Sequence, residues 1–128
     1  MQYEYFYGAQ AEQFSFYRIP KALFTEPKFR ELSTDAKVLY GILLDRMSLS
    51  LKNQWLDAQN KVYIIFTVEE IMDALNCANQ KATRLMVELE KQAGLIERKR
   101  QGLGRPNLIY VKNFAATIND KSCEKGDS

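Results

Sequence analysis

The stretch RKRQGLGRPN, residues 98–107, crowds four cations around a Gly102-x-Gly104-x-Pro106 turn, and the apolar run LIYV comes next. Arg98, Lys99 and Arg100 lead into the turn and Arg105 leaves it. Glycines at these positions permit positive φ, so the loop can be tight and can approach another backbone closely. A cationic loop of this kind could lie along a phosphate strand or place an arginine in a minor groove. It could equally be a solubilising hairpin whose charges block edge pairing. A nucleotide-binding glycine loop fits poorly, because GLGRPN lacks the G-x-G-x-x-G spacing and joins two strands instead of opening a helix.

The second segment with usable chemistry is NQKATRLMVELEKQAG, residues 79–94. With Ala82 inward, Leu85, Met86 and Leu89 share its face at helical spacing. Gln80, Thr83, Arg84, Val87 and Lys91 then face outward, flanked by Lys81 and Glu88. Arg can grip a guanine edge at two points, Gln an adenine edge, and Thr can donate or pack on a thymine methyl. Gln80, Thr83 and Arg84, early in the helix, are the base-edge candidates. Asn79, Lys81 and Lys91, with Arg98, Lys99, Arg100 and Arg105 of the hairpin, are the phosphate candidates. An ordinary amphipathic surface helix would show a similar face, but the short break Asn76-Cys77-Ala78 before it suits a helix-turn-helix.

These two segments need a scaffold, and the rest of the chain reads as one. Residues 33–50, STDAKVLYGILLDRMSLS, form a long helix capped by Ser33 or Thr34, with Asp35 complementing its dipole. Ala36, Leu39, Tyr40, Leu43 and Met47 recur at helical spacing, and Ile42 and Leu44 widen the stripe, which makes this helix central. Gly41 within it suits close packing at a cost in propensity. Asp57 to Lys61 reads as a turn and Val62 to Phe66 as a strand, with Val62, Ile64 and Phe66 on one face. Thr67-Val68-Glu69-Glu70 has capping-box spacing and opens a helix striped by Val68, Ile71, Met72 and Leu75. Asn79 is read as the cap of the next helix and Gly94 as its end. Leu95 to Lys99 and Leu108 to Val111 are strands around the basic turn. Helix, strand, helix, turn, helix, strand, basic turn, strand is the order of a winged helix-turn-helix, mainly α with a small β-sheet.

At 128 residues and 46% hydrophobic, the chain suits one domain with a real core. Its net charge is only +2, but residues 80–112 hold 8 Lys/Arg against 3 Asp/Glu. Residues 1–79 hold 8 against 10, so the excess sits where the hairpin is. That asymmetry points to a polyanionic partner, although a solvated charged face would look the same. No apolar run approaches the roughly 20 residues that span a bilayer. The start, MQYEYFYGAQAEQ, lacks the basic and apolar parts of a secretory signal. Cys77 and Cys123 lie far apart, which fits free thiols in a reducing cytoplasm.

An enzyme is hard to assemble from these residues. There is no histidine to serve as the usual general base, and two cysteines alone do not hold a structural zinc. The carboxylates are scattered or sit in helix first turns, and Cys77 reads as a small packed residue. No metal, cofactor or catalytic residue is expected. The aromatics read as core and interface more than as a base-stacking platform, and Trp55, just before a turn, is expected to be partly exposed.

The run from YRIPKALF through LSTDAKVLYGILLDRM and FTVEEIM to GLIERKRQGLGRPNLIYVKNF, residues 16–114, resembles the N-terminal domain of plasmid replication initiators of Gram-positive bacteria, the RepA_N family. The resemblance implies a dimeric winged-helix domain that binds repeated sites in duplex DNA at a plasmid replication origin. Its recognition helix would be residues 79–92 and its wing residues 98–107. It also implies a bacterial cytoplasmic protein, with a further C-terminal domain, absent here, that contacts host replication proteins. On that resemblance Gln92-Ala93 before Gly94 would be one residue longer than the family's usual spacing, which leaves the end of the recognition helix open. On this division residues 1–15 are an aromatic arm or hairpin, residues 16–114 the DNA-binding domain, and residues 115–128 a polar tail or the start of a linker. Tyr3, Tyr5, Phe6, Tyr7 and Phe14 need burial somewhere, and dimerisation through the arm would supply it. A winged-helix transcriptional regulator needs the same reading head and remains the alternative. A module whose wing and third helix dock on an acidic protein is a further one.

Overall fold

The structure is a computed structural model and describes residues 2–8 and 13–115. A long helix lies at its centre, and the last helix and the second strand pack against it. A short helical turn α1 (Ala22–Thr25) opens after Pro20, and a 3-10 turn (Pro27–Phe29) comes after it. Next come α2 (Thr34–Lys52), α3 (Val68–Leu75) and α4 (Asn79–Val87), whose last turn widens into a π-helical turn (Glu88–Gln92). Strands β1 (Ile96–Lys99) and β2 (Leu108–Val111) complete the order.

Helix α2 forms where its apolar stripe and cap agree. Ser33 is the N-cap, and its hydroxyl accepts from the Ala36 N–H at 3.2 Å. Ala36, Leu39, Tyr40, Ile42 and Leu43 are buried, and the core they help form includes Ile71 of α3 and Leu85 and Leu89 of the α4 region. Burial of this kind stabilises by about 1.5–3 kcal/mol per large apolar side chain. Tyr40 is tied to the end of the sheet, its hydroxyl donating to the Lys112 carbonyl at 2.6 Å, and burial pushes that hydroxyl up to about 12. Phe114 closes this end of the domain against Phe29 and Tyr40.

β1 and β2 pair antiparallel with Ile96 opposite Val111 and Lys99 opposite Leu108. The strand expected over residues 62–66 is a correction. It is present only as two isolated bridges, Leu56 with Val62 and Ile64 with Ile109. Ile64 is the residue that reaches the core, and it exchanges both backbone hydrogen bonds with Ile109 at 2.9 Å. Thr67 then caps α3, so the chain has no length left for a ladder. The turn before it is as read: Asp57 accepts from the Gln59 and Lys61 N–H groups, and Tyr110 donates to its other oxygen at 3.0 Å. Those donors, the Lys61 N–H foremost, hold the Asp57 carboxyl below its ordinary value. Trp55 is 40% exposed and stacks on Tyr63.

The N-terminal segment turns at Gly8, and Phe6 meets Phe14 edge-on at 6.0 Å. Tyr3 and Tyr5 are more than 80% exposed, and Phe6, Tyr7 and Phe14 are exposed too. The tail read over residues 115–128 lies, from residue 116 on, outside the described residues, as does Cys123. No helix among the described residues is long and apolar enough to cross a membrane.

Gly41 is where the incoming chain crosses α2. A Cβ there would stand 2.8 Å from Ile19 Cγ1 and 3.0 Å from the Arg18 carbonyl oxygen. Gly41→Ala would gain about 1 kcal/mol of helix propensity. It would also push residues 18–19 off the helix, and overpacking of that kind costs roughly 1–3 kcal/mol. A net loss of stability is therefore expected in thermal unfolding, and a raised Tm would show that the crossing is slack.

Candidate nucleic-acid interface

The site is built on the α3–α4 unit. The capping box of α3 is complete: Glu70 N–H donates to the Thr67 hydroxyl and the Thr67 N–H to the Glu70 carboxylate. Asn76 ends the helix in the left-handed region at φ 57°, a conformation Asn tolerates better than most residues. Cys77 is half-buried and packs against the core, its N–H donating to the Met72 carbonyl. The chain then re-enters a helix within two residues.

Ala78, not Asn79, is the N-cap of α4, and no side chain caps it. Asn79 is already helical, and its side chain turns along the helix to accept from Thr83 Oγ1 at 3.4 Å. The cap expected from Asn79 is thus displaced by one residue. Its amide is drawn to a neighbour on the helix face, so it does not serve the first-turn N–H groups.

The expected inward face is present. Ala82, Leu85 and Leu89 are fully buried and Met86 nearly so. The opposite face carries Gln80, Thr83, Arg84, Val87 and Lys91, all exposed. Lys81 stands beside this face, where its ammonium pairs with Asp35 in the first turn of α2 at 2.6 Å. Both partners are substantially exposed, so the pair contributes little to stability and leaves the lysine available to other anions.

At the other end, Lys99, Arg100 and Arg105 are exposed, and among the described residues no salt bridge engages them, Arg84 or Lys91. The turn is drawn together by Gln101 Nε2 donating to the Pro106 carbonyl at 2.7 Å, with Gly102 at φ 118° and Gly104 at φ 77°. Leu103 at its tip is fully exposed. Arg98 differs from its neighbours. Its guanidinium holds Glu90 through two bonds of 2.9 and 2.7 Å, and its backbone N–H donates to the same carboxylate at 3.2 Å.

Sequence reasoning missed the acidic residues that support this surface. The Ser33 N–H and hydroxyl both donate to the Glu88 carboxylate, the hydroxyl at 3.0 Å. Glu88 and Glu90 are two of the three acids in the basic stretch 80–112. That anomaly was the signal that could have found them. A cavity of about 760 Å³ between α2 and the end of β2, walled by Tyr40, Leu44, Met47 and Val111, is lined by none of the cationic or base-edge candidates.

Burial pushes the Glu90 carboxyl up, but the donors and charge of Arg98 outweigh it and hold the carboxyl below its ordinary value. A depressed carboxylate stabilises the fold above its unfolded value, about 4.3, and loses that contribution as pH falls toward the folded value. The stability gap between wild type and Glu90→Gln is therefore expected to be constant near neutral pH and to narrow below about pH 4.5. Denaturant unfolding across that range reads it, and a gap that widens on acidification would remove the ion pair as its cause.

The comparisons agree with this architecture. The family model described as replication initiator protein A (RepA) N-terminus matches residues 15–125. A 41 kDa protein of Lactobacillus helveticus is 33% identical over 103 residues, which are 80% of this chain and 28% of that protein. Among solved structures, one described as the N-terminal domain of a DNA-binding protein superposes with a TM-score of 0.73 at 36% identity, covering 99% of this chain and 98% of its own. A Rep–DNA complex superposes with the same TM-score and identity over 98% of both chains. An MDR initiator does so with a TM-score of 0.70 at 38% identity over 98% of this chain and 99% of its own. With its winged-helix arrangement of α3, α4 and a short hairpin, the chain belongs to the family of replication initiator protein A N-termini.

Proposed function

We propose that this chain is the DNA-reading domain of a plasmid replication initiator, binding repeated sites in duplex DNA at an origin and carrying out no catalysis itself. The observation that carries the reading is the juxtaposition of two features. One is the exposed Gln80–Thr83–Arg84 face of α4, and the other a hairpin whose Lys99, Arg100 and Arg105 engage no salt bridge among the described residues. The likeness to a solved Rep–DNA complex supports it. In this reading α4 and its π turn are the recognition helix, residues 79–92, with Gln80, Thr83 and Arg84 on base edges. Asn79, Lys81 and Lys91 meet phosphates, as do Lys99, Arg100 and Arg105 of the wing, which tracks the backbone or enters the minor groove.

The chain pairs as a homodimer through its aromatic arm, where Tyr3, Tyr5, Phe6, Tyr7 and Phe14 expose more ring surface than a lone domain ordinarily leaves in water. It spans 28% of its Lactobacillus relative, so a further region of a longer protein is where host replication proteins would be met. The bacterial cytoplasm is where such a protein acts.

Fluorescence anisotropy against a duplex of origin repeats and a scrambled duplex, at several salt concentrations, tests the reading. Arg84→Ala is expected to cost about 1–3 kcal/mol on the repeats and far less on scrambled DNA. Arg105→Ala is expected to weaken both and to lower the salt slope by about 1. Equal losses for Arg84→Ala would take it off the bases, and no binding at low salt would turn the hairpin into a protein-docking surface. Sedimentation of the chain with Tyr3, Tyr5 and Phe6 changed to Ser is expected to show monomer where the parent is dimer. A dimer that survives the change would exclude the arm.

A further inference from the structure

We infer that the π-helical turn Glu88–Gln92 is the joint that sets the recognition helix against the wing, and that Glu88, Glu90 and Arg98 are positioning residues for sequence discrimination. The inference rests on the reading of α4 as the base-reading helix and of residues 98–107 as the wing.

The joint is gripped from two sides. Glu88 receives the N–H and hydroxyl of Ser33 at the start of α2, and Gln92 Nε2 donates to the Glu31 carbonyl at 3.3 Å. These two side chains, four residues apart, hold the loop before α2. Glu90, between them in sequence, points the other way and takes both the guanidinium and the backbone N–H of Arg98 on β1. So every second residue of the turn fastens α4 to its surroundings, and one of the elements it fastens to is the root of the wing.

The π geometry makes this division possible. The Ala93 N–H bonds the Glu88 carbonyl at 3.0 Å, five residues back, so the turn holds one residue more than an α-turn. Each added residue rotates the downstream chain by about 100° about the helix axis. Gly94 at φ +68° then lets the Leu95 N–H close on the Leu89 carbonyl at 2.8 Å and sends the chain into β1. The extra residue before Gly94 thereby decides where β1 departs relative to Gln80, Thr83 and Arg84.

The chemistry favours a positioning role over a direct one. Arg98 and Glu90 are only 25% and 18% exposed. The Arg98 Nε and Nη2 donors converge on Glu90 Oε1 while the Arg98 backbone N–H donates to Oε2, so the carboxylate is held at both oxygens and angle as well as distance is fixed. Its screening by salt is reduced by burial. It also accounts for two acids in the most basic part of the chain, since each carboxylate is consumed by a donor instead of facing a polyanion. Base edges are read only when a side chain is held to within about half an ångström, and a helix free to roll against its wing would satisfy phosphates while missing bases.

The test uses the duplex that the wild-type chain selects from a randomised pool, and a scrambled duplex, in anisotropy titrations. Glu90→Gln is expected to lower the preference for the selected duplex by roughly tenfold, comparable to one mismatched base pair. Affinity for scrambled DNA should not fall, because removing an acid cannot weaken attraction to a polyanion. Arg98→Lys, which keeps the charge and loses the fork, is expected to lower the preference in the same way. A lysine would serve equally well if residue 98 simply met a phosphate. Full preference retained in both variants would overturn the inference, as would parallel losses on both duplexes. Should Glu90→Gln fail to fold in a thermal melt, Glu88→Gln reads the other grip of the same joint by the same ratio. Arg84→Ala separates the two levels. If it abolishes the preference while Glu90→Gln and Arg98→Lys keep it, the joint alone is wrong. If it leaves the preference intact, the reading of α4 falls and the inference with it.

Discussion

The burial of one stripe on α4 is the constraint on which the rest of this domain depends. Ala82, Leu85, Met86 and Leu89 cannot remain in water, and α2 offers the apolar surface that takes them. Once that face is turned inward, 100° per residue leaves Gln80, Thr83, Arg84, Val87 and Lys91 no direction but outward. The polar face is therefore a consequence of packing as much as of composition. Anything that rolled α4 would expose leucine before it hid arginine, at about 1.5–3 kcal/mol for each large side chain uncovered. Gly41 serves the same end from behind, because it lets residues 18–19 lie directly against α2.

Electrostatics then sorts the charges of the basic third by depth. The acids at 88 and 90 are taken by Ser33 and Arg98, while Lys99, Arg100 and Arg105 form no salt bridge among the described residues. The net charge of the chain is only +2, so these exposed cations stand out locally and not in the total. Exposed charges weaken with salt, whereas the partly buried Glu90–Arg98 pair is screened less. The arginines of RKRQGLGR thus differ although they are neighbours in the chain: Arg98 is held by Glu90, while Arg100 and Arg105 form no salt bridge among the described residues.

Much of the fold could be read from local pattern, and the residues show why. The stripe of α2, the Thr67–Glu70 capping box and the basic hairpin each depend on neighbours within a few positions, so periodicity and spacing reveal them. Asn79 misled because two local preferences compete there: capping its own helix, or bonding Thr83 one turn on. The run Val62–Phe66 alternates as a strand should, yet only Ile64 finds a full partner, since Ile109 lies 45 residues away and the register is set by where β2 lands. Of the candidate interface, the outward residues of α4 and the hairpin cations were legible, but which cations are already paired was not.

The sequence by itself determined the order of elements, the faces of the helices and the place of the positive charge, because those are properties of spacing along the chain. Only the tertiary structure decided that α4 ends in a π turn, and which of three adjacent cations faces inward. Arg98, Lys99 and Arg100 carry the same charge. They are told apart by a carboxylate eight residues upstream that comes within 2.7 Å of Arg98 once the helix has widened and the strand has folded back.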